Sequence, residues 1–422
     1  MDRVSGDSQR QPSDGWENTP YPDLLHSLLW NAILEKATDV HLHCVREGVR
    51  VLHRVDGTVH PKTTLPPDEG RKLVNQLKSA AGLTVVRSFA PLEGQIIWPD
   101  GERKWEIRVT LTPVGDRESA HLRLLSAPSD EWDLGNLGFS TADQEKIAAT
   151  VHSLSGLVLV TGSTGSGKTT TMYSLASLMD LRTTTTYSIE DPVEFRLPYA
   201  QQIEVDERHG LTMYEGLRTI LRMDPDLILV GEIRDRDSAV VAARAALSGR
   251  LVLATIHAQD AAGAVDALHY LGVPYHIIGS SLRLVIAQNL VRRLCPCCAL
   301  PREVEEGEKE WFARFGMESP ENLLQAGGCT ECGWYGYKGR TGIFEVAAVD
   351  DEFTALISSG ARHADVTNCL RKRGVHSVAH DAMEKVAAGV TSIDEFVRVS
   401  GFAPGNGAAQ PATEPMPVDI IS

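Results

Sequence analysis

A glycine-rich stretch between Leu159 and Ser174, LVTGSTGSGKTTTMYS, has the spacing best suited to chemistry in this sequence. Its residues fit the pattern G-x-x-x-x-G-K-[ST] at Gly162, Gly167, Lys168 and Thr169. Glycines let backbone N–H groups turn inward around an anion, and the N-terminus of a following helix adds partial positive charge. The pattern therefore predicts a phosphate-binding loop.

We expect this loop to bind a nucleoside triphosphate, with Lys168 at the β- and γ-phosphates and the Thr169 hydroxyl on Mg²⁺. A strand predicted over 157–160 and a helix predicted over 169–179 supply the context that the motif requires. An ordinary glycine-rich turn before a helix is the alternative. The predicted nucleotide ligands are Gly162, Ser163, Thr164, Gly165, Ser166, Gly167, Lys168, Thr169 and Thr170.

Carboxylates follow two further hydrophobic segments. Glu232 comes directly after a predicted buried strand at 227–230, at the end where ligands of parallel sheets bind. The stretch SIEDPVEF adds Glu190, Asp191 and Glu194. Acids beside an apolar strand favour a bound cation or an activated water, although a solvated turn is the simpler alternative.

Two C-x-x-C pairs, Cys295/Cys298 and Cys329/Cys332, predict a zinc site. Cys297 could replace Cys298, and reduced cysteines without a metal are the alternative. A site of four thiolates is closed to substrate, so its zinc should be structural. The acidic stretch EVEEGEKE between the pairs argues against nucleic-acid binding by this segment.

Length and composition limit the class of protein. The 422 residues are enough for two or three domains, and the net charge of −15 disfavours a broad nucleic-acid surface. No apolar stretch approaches the roughly 20 residues needed to span a bilayer, so no transmembrane segment is expected. The polar beginning does not resemble a signal peptide. We therefore expect a cytoplasmic protein.

The hydrophobic patterns predict two folded regions. A disordered stretch, 1–20, precedes a small α+β domain at 21–125, which starts with an amphipathic helix at 24–35 and continues with alternating strands. A linker is expected at 126–136. Buried strands then alternate with helices from 137 to 402, as in a mostly parallel α/β sheet that includes the cysteine segment 295–332. A disordered tail should occupy 403–422.

Four motifs, GSTGSGKTT, SIEDPVEF, DPDLILVGEIRD and LVLATIHAQDAAGAV, occur in this order. They resemble the Walker A, Asp, Walker B and His boxes of the ATPases of type II secretion systems and type IV pili. The similarity covers about 37–400 and includes ATDVHLHCVREGVRVLHRVDG and GCTECGWYGYKGRTGIFE. It implies a RecA-like P-loop ATPase domain, with a four-cysteine zinc insertion, after a small PAS-like domain.

The resemblance also assigns roles to individual residues. Glu194 would polarise the attacking water, and Glu232 would support Mg²⁺ and its waters. His257 would sense the γ-phosphate or couple it to a neighbouring subunit. Four arginines are candidates for stabilising phosphate charge: Arg108 and Arg123 in the small domain, and Arg218 and Arg222, four apart on one predicted helix face. Surface positions are the simpler alternative for all four. The family's Gly-His opening of the His box is here Gly249-Arg250, which leaves the role of that position open.

The family resemblance implies a homo-hexamer that hydrolyses ATP, with Mg²⁺, between protomers. It would be peripheral at the inner membrane and act on a platform protein to assemble pilins or pseudopilins; the long docking domain of many relatives is not expected before residue 20. Three alternatives stay open. They are a pilus retraction motor, which the cysteine segment disfavours, a nucleic-acid-translocating motor, and a nucleotide-binding module without turnover.

Overall fold

The computed structural model describes residues 23–100, 103–125, 133–153 and 155–400. These residues form two compact units, and the segment Val193–Leu197 clusters with the first unit although its flanking residues belong to the second. The predicted disordered ends and most of the predicted linker lie outside the described residues. In the described part of the chain, no helix is long and apolar enough to cross a membrane.

In its described residues, the first unit contains a six-stranded antiparallel sheet with the order β3-β2-β1-β6-β5-β4 and two helices. Its elements are α1 (Asp23–Leu34), β1 (Ala37–Val45), β2 (Gly48–Val55), β3 (Thr58–Leu65), α2 (Pro67–Ala80), β4 (Leu92–Asp100), β5 (Arg103–Val114) and β6 (Arg117–Leu125).

Alternation of apolar and polar residues explains this sheet. Val40 and Leu42 of β1 are fully buried, whereas His41 is half-buried and His43 is exposed. Leu25 and Leu29, four residues apart on one face of α1, belong to the same apolar core. The predicted amphipathic helix and alternating strands are therefore confirmed.

The second unit contains a seven-stranded sheet with the order β15-β12-β7-β11-β10-β8-β9. Six strands are parallel and β15 runs antiparallel at one edge. Its strands are β7 (Gly156–Thr161), β8 (Thr186–Glu190), β9 (Gln201–Glu204), β10 (Leu227–Val230), β11 (Leu251–Ile256), β12 (Leu282–Leu294) and β15 (Tyr337–Ala348). A two-stranded antiparallel sheet pairs β13 (Leu300–Glu303) with β14 (Asn322–Gln325).

Helices connect most of the parallel strands, as is usual for such connections, whereas residues 191–200 join β8 to β9 without a helix. The helices of the described part of this unit are α3 (Leu134–Leu137), α4 (Thr141–Val151), α5 (Lys168–Ala176), α6 (Met213–Ile220), α7 (Arg236–Leu247), α8 (Ala261–Tyr270), α9 (Tyr275–Ser281), α10 (Glu306–Arg314), α11 (Asp351–Ser358), α12 (His363–Lys372), α13 (Val378–Ala387) and α14 (Ile393–Ser400), with 3₁₀ turns at Glu207–His209 and Thr330–Cys332. Strands β7, β10 and β11 are buried throughout, which confirms the predicted mostly parallel sheet.

The strand register determines which loops meet at one edge of this sheet. Thr161, the last residue of β7, pairs with Ile256, the last residue of β11. Val230, the last residue of β10, pairs with Ala254 two residues before that end. The loops that follow these three strands therefore begin at one edge, which brings the glycine-rich loop, Glu232 and His257 together.

Candidate functional site

The glycine-rich loop lies between β7 and α5, as the motif predicts. Gly165 and Gly167 have φ values of +76° and +85°, which favour glycine. Gly167 is the N-cap of α5 and has no side chain to accept from the first-turn N–H groups. These donors, and the partial positive charge of the helix end, are thus available to an anion.

Gly162 lies against the neighbouring strand. Its φ is +149°, and a Cβ atom at this position would approach the Gln288 carbonyl oxygen to 2.2 Å. The Gln288 side chain, buried in β12, donates from Nε2 to the Ser166 carbonyl oxygen over 2.6 Å. The Ser166 hydroxyl is itself buried and has no hydrogen-bond partner among the described residues. A tightly cradled loop with an unsatisfied polar group fits a phosphate ligand.

Lys168, the first residue of α5, folds back over the loop. Its Nζ donates to the carbonyl oxygens of Gly162 and Ser163, each over 3.0 Å. Burial lowers the pKa of Lys168, while the charge of Glu232 opposes that shift. The ammonium group is thus held over the loop, where a triphosphate would lie.

Glu232 and His257 form the polar part of the site. His257 Nε2 lies 2.6 Å from Glu232 Oε1, and its Nδ1 lies 3.2 Å from the Gly162 carbonyl oxygen. The second Glu232 oxygen accepts from Arg234 Nε, and Arg234 also pairs with Asp191 over 3.4 Å. His257 therefore bridges the glycine-rich loop and the carboxylate after β10.

Glu190 does not lie free for a cation, contrary to the sequence expectation for the acids of SIEDPVEF. It is buried at the end of β8 and accepts hydrogen bonds from Tyr173 over 2.5 Å, Ser188 over 2.6 Å and Gln202 over 3.2 Å. Tyr173 belongs to α5. Glu190 thus links α5, the helix after the phosphate loop, to β8 through hydrogen bonds and has a structural role.

Glu194 lies in the segment Val193–Leu197, which clusters with the first unit although the sequence placed it within the ATPase domain. Arg108 of β5 donates from Nη2 to the Val193 carbonyl oxygen over 2.9 Å. Arg108 is thus adjacent in structure to the residue preceding Glu194. The proposed roles of both residues stay predictions.

Arg123 lies on β6, where its Nε is 3.4 Å from Asp39 Oδ1. Asp39 also accepts from His121 over 2.9 Å and from Thr38 over 2.8 Å. Burial opposes ionisation of Asp39, but these hydrogen bonds and the Arg123 charge outweigh it and hold its pKa well below the ordinary value. An ionised Asp39 therefore orients Arg123 within the first unit.

The expectation that Arg218 and Arg222 share one helix face is wrong, because α6 ends at Ile220 with Leu221 as its C-cap. Arg218 pairs with Glu215 over 3.4 Å and lies over the Tyr214 ring, and both arginines are exposed. Arg250, which replaces the family's histidine, precedes β11 and donates to Ser248. It lies at the amino ends of the parallel strands, whereas the glycine-rich loop lies at their carboxyl ends, roughly 20 Å away along the strand.

The four predicted cysteine ligands come together where β12 ends and β15 begins. Neighbouring Sγ atoms are 3.8 Å apart for Cys295 and Cys329, and 3.7 Å apart for the Cys298–Cys332 and Cys329–Cys332 pairs. Tetrahedral zinc with Zn–S bonds of about 2.3 Å requires about 3.8 Å between sulfurs. Cys297 is exposed and lies outside the cluster, so the first pair of ligands is Cys295 and Cys298, with the C-x-x-C spacing.

Sequence analysis missed Gln288, Arg234 and Tyr173 as parts of this site. The Arg234 side chain follows Glu232 by two residues in GEIRD, and this spacing was a usable signal. Gln288 reaches the loop only because β12 pairs with β7, and Tyr173 of α5 meets Glu190 of β8 only in the folded chain, 17 residues away in sequence.

The site combines a glycine-rich loop and its lysine after the buried strand β7, a histidine after the neighbouring strand β11, and an acid after β10, the next strand of the sheet. This combination defines a P-loop ATPase. The chain belongs to the family described as type II/IV secretion system protein, whose model matches residues 16–398.

Two curated relatives and one solved structure illustrate the similarity. The type II secretion system protein E of Pseudomonas aeruginosa is 38% identical over 386 residues, covering 91% of this chain and 76% of the relative. The type IV pilus assembly ATPase PilB of Thermus thermophilus is 35% identical over 370 residues, covering 87% of this chain and 41% of the relative. The X-ray structure of the Legionella pneumophila ATPase DotB superposes with a TM-score of 0.68 at 21% identity, covering 93% and 98% of the two chains. These matches confirm the predicted family and RecA-like fold.

Proposed function

We propose that this ATPase is a cytoplasmic motor that powers assembly of a type II secretion pseudopilus or a type IV pilus. The observation that carries the proposal is the meeting of Lys168, Glu232 and His257 around one phosphate loop. The identity of about 35–38% to a type II secretion protein E and a PilB supports the choice of machine. The motor would be a homo-hexamer, peripheral at the inner membrane through a platform protein.

The residues fit Mg²⁺-ATP. Lys168 would contact the β- and γ-phosphates, the Thr169 hydroxyl would coordinate Mg²⁺, and Glu232 would hold a water of the metal. The metal would neutralise charge on the phosphates. His257 would report the state of the phosphate loop to Glu232, while Glu194 would orient the attacking water.

Arg108 and Arg123 of the first unit would stabilise phosphate charge across a protomer boundary. Both side chains are oriented by specific partners, the Val193 carbonyl and Asp39. An arginine at developing phosphate charge is worth about 10³–10⁵ in rate in other NTPases.

We also propose that Cys295, Cys298, Cys329 and Cys332 bind one structural Zn²⁺. The Sγ spacings of 3.7–3.8 Å support this. Burial raises the pKa of the Cys332 thiol, but hydrogen bonds with backbone groups, including the Gly336 N–H, outweigh burial and lower the pKa. The lowered pKa favours the thiolate form that binds a metal. The metal would tie the end of β12 to the beginning of β15.

The test is complementation of the source cell lacking this gene. The wild-type chain should restore surface filaments or secretion, whereas Lys168→Ala should restore neither and should have background ATPase activity with an intact fold. The exposed control Lys72→Ala, on α2, should behave as wild type. Filament loss on expression would indicate retraction, and ATPase stimulated by DNA would indicate nucleic-acid translocation; either outcome would overturn the proposal.

A further inference from the structure

Three side chains cluster at the beginning of α13, away from the phosphate loop and the cysteines. His380 and Glu384 lie four residues apart on successive turns of α13, and His376 comes directly before the Ser377 N-cap of this helix. Their candidate ligand atoms all lie within 4.8 Å of one another. The two imidazole rings have centroids 3.7 Å apart.

The distances suit a shared ion better than direct hydrogen bonds. Each histidine Nδ1 lies 3.6 Å from Glu384 Oε1, which is beyond the hydrogen-bond range. Two ligands of a tetrahedral metal, with bonds of about 2.1 Å, are separated by about 3.4 Å. Both nitrogen–oxygen distances are therefore near the separation of two ligands around one ion, and all three candidate ligand atoms lie within 4.8 Å of one another.

The His380 ring carries the second observation. Its Nδ1 is buried and lacks a hydrogen-bond partner among the described residues. The backbone of Phe315 forms a hydrogen bond with the same ring, which leaves Nε2 as the nitrogen that donates to it. Donation from one ring nitrogen to a backbone carbonyl is how proteins orient a metal-binding histidine and keep the other nitrogen free.

The neighbouring charged side chains Asp381 and Lys385 pair with other groups and not with the three clustered side chains. Asp381 accepts from the Phe344 backbone N–H over 2.7 Å and pairs with Lys385 over 2.6 Å. The side chains of His376 and Glu384 are about half exposed, at 54% and 47%, so the cluster is open to solvent.

We propose that His376 Nδ1, His380 Nδ1 and Glu384 Oε1 bind one divalent transition-metal ion, such as Zn²⁺, with water as the fourth ligand. Two imidazoles and one carboxylate form an established ligand set for open zinc sites, and this set disfavours Mg²⁺ and Ca²⁺. The ion would fix the residue before the Ser377 N-cap to the second turn of α13. Through His380 and Phe315, it would also hold α13 against the residue that caps α10.

The experiment counts Zn²⁺ bound by the full chain, purified without a polyhistidine tag and dialysed against a chelator to remove weakly held ions. Titration against a chromophoric competitor should reveal one equivalent beyond the thiolate-bound ion. His376→Asn and Glu384→Gln should each weaken that equivalent at least about tenfold. His152→Asn, an exposed histidine outside the cluster, is the matched control and should bind as wild type.

Cobalt distinguishes the two sites, because only thiolate ligands give an intense charge-transfer band. Cys332→Ser should weaken this band, because one of four thiolates is removed, and should keep the additional equivalent. His376→Asn should keep the full band and lose the additional equivalent. Because the His376 side chain is exposed, its replacement should leave the fold intact, and circular dichroism can verify this. No additional equivalent in the wild type, or unchanged affinity in both ligand variants, would overturn the proposal.

Discussion

His257 Nε2 lies 2.6 Å from Glu232 Oε1, and the opposite nitrogen of the same ring lies 3.2 Å from the Gly162 carbonyl oxygen. A single ring thus joins the loop expected to bind the phosphates with the acid expected to support the metal. A change in the position of either one must alter the hydrogen bonds of the other.

Replacing His257 should therefore affect turnover more than binding. We expect His257→Ala to lower kcat at least about tenfold, because Glu232 loses a partner that orients it in the transition state. Nucleotide affinity should change little, because Lys168 keeps its contacts. Steady-state ATPase rates and equilibrium nucleotide binding measure the two effects, with exposed His152→Ala as the control. An equal loss of affinity would assign His257 to binding.

Glu194→Gln should separate binding from chemistry in a different way. The amide keeps the size of the side chain but removes the charge that accepts a proton from water. We expect ATP to bind with near wild-type affinity while hydrolysis falls by about a hundredfold or more. Single-turnover hydrolysis and binding of a fluorescent nucleotide provide the measurements. Glu207→Gln, an exposed acid of the same chain, should leave both unchanged.

Gln288→Leu should loosen the phosphate loop. The variant loses the 2.6 Å hydrogen bond to Ser166 and leaves a buried carbonyl unsatisfied, at a cost of about 1–3 kcal/mol. Weaker nucleotide binding should follow, measurable by titration calorimetry. Gln201→Ala, at an exposed position of β9, is the control. Unchanged affinity would show that the loop holds its shape without this bond.

Arg123→Ala tests the proposed cooperation between protomers. Maximal ATPase rate should fall with little change in nucleotide affinity, since charge develops mainly in the transition state. Mixed with wild-type subunits, the variant should lower activity more than in proportion to its fraction. Arg50→Ala, exposed on β2, should dilute activity linearly. A linear curve for Arg123→Ala as well would leave this arginine outside the proposed shared site.

Glu345 should make stability depend on pH near neutrality. Burial raises the pKa of this carboxyl group to about 7, despite the hydrogen bond that it accepts from the Ala261 backbone N–H over 2.8 Å. Between its ordinary value and about 7, the folded state binds more protons than the unfolded state. The free energy of unfolding therefore falls as pH rises through this window, by on the order of 1–3 kcal/mol.

Glu345→Gln should remove that dependence, because the amide oxygen can accept the same hydrogen bond and does not titrate. The free energy of unfolding of the variant minus that of the wild type should be larger at pH 8 than at pH 5. Urea unfolding across this range measures the difference. Glu352→Gln, an exposed acid on α11, is the matched control and should follow the wild type.

Features encoded by local patterns were predictable. The glycine spacing indicated the phosphate loop, the apolar runs indicated β7, β10 and β11, and the C-x-x-C spacing indicated the cysteine cluster. The family resemblance assigned Glu232 and His257 to one site, but their direct contact was not predicted, because no local pattern joins residues 25 positions apart.

Features that depend on strand order were not predictable. Gln288 is 122 residues from Ser166 and meets it only through the pairing of β12 with β7. The end of α6 before Arg222 was missed because Leu221 and Arg222 carry no strong stop signal such as glycine or proline. The packing role of Glu190 could not be predicted because two of its partners, Tyr173 and Gln202, come from other segments of the chain.

The chain enters the first unit twice, once before residue 130 and again for Val193–Leu197. The first unit is therefore built from two separate stretches of the sequence. A gene fragment that stops at residue 130 would lack a five-residue piece of its own unit, and a protease cut in the 126–132 stretch would leave that piece attached to the other half. A functional chimera between relatives should therefore exchange residues 193–197 together with the first unit.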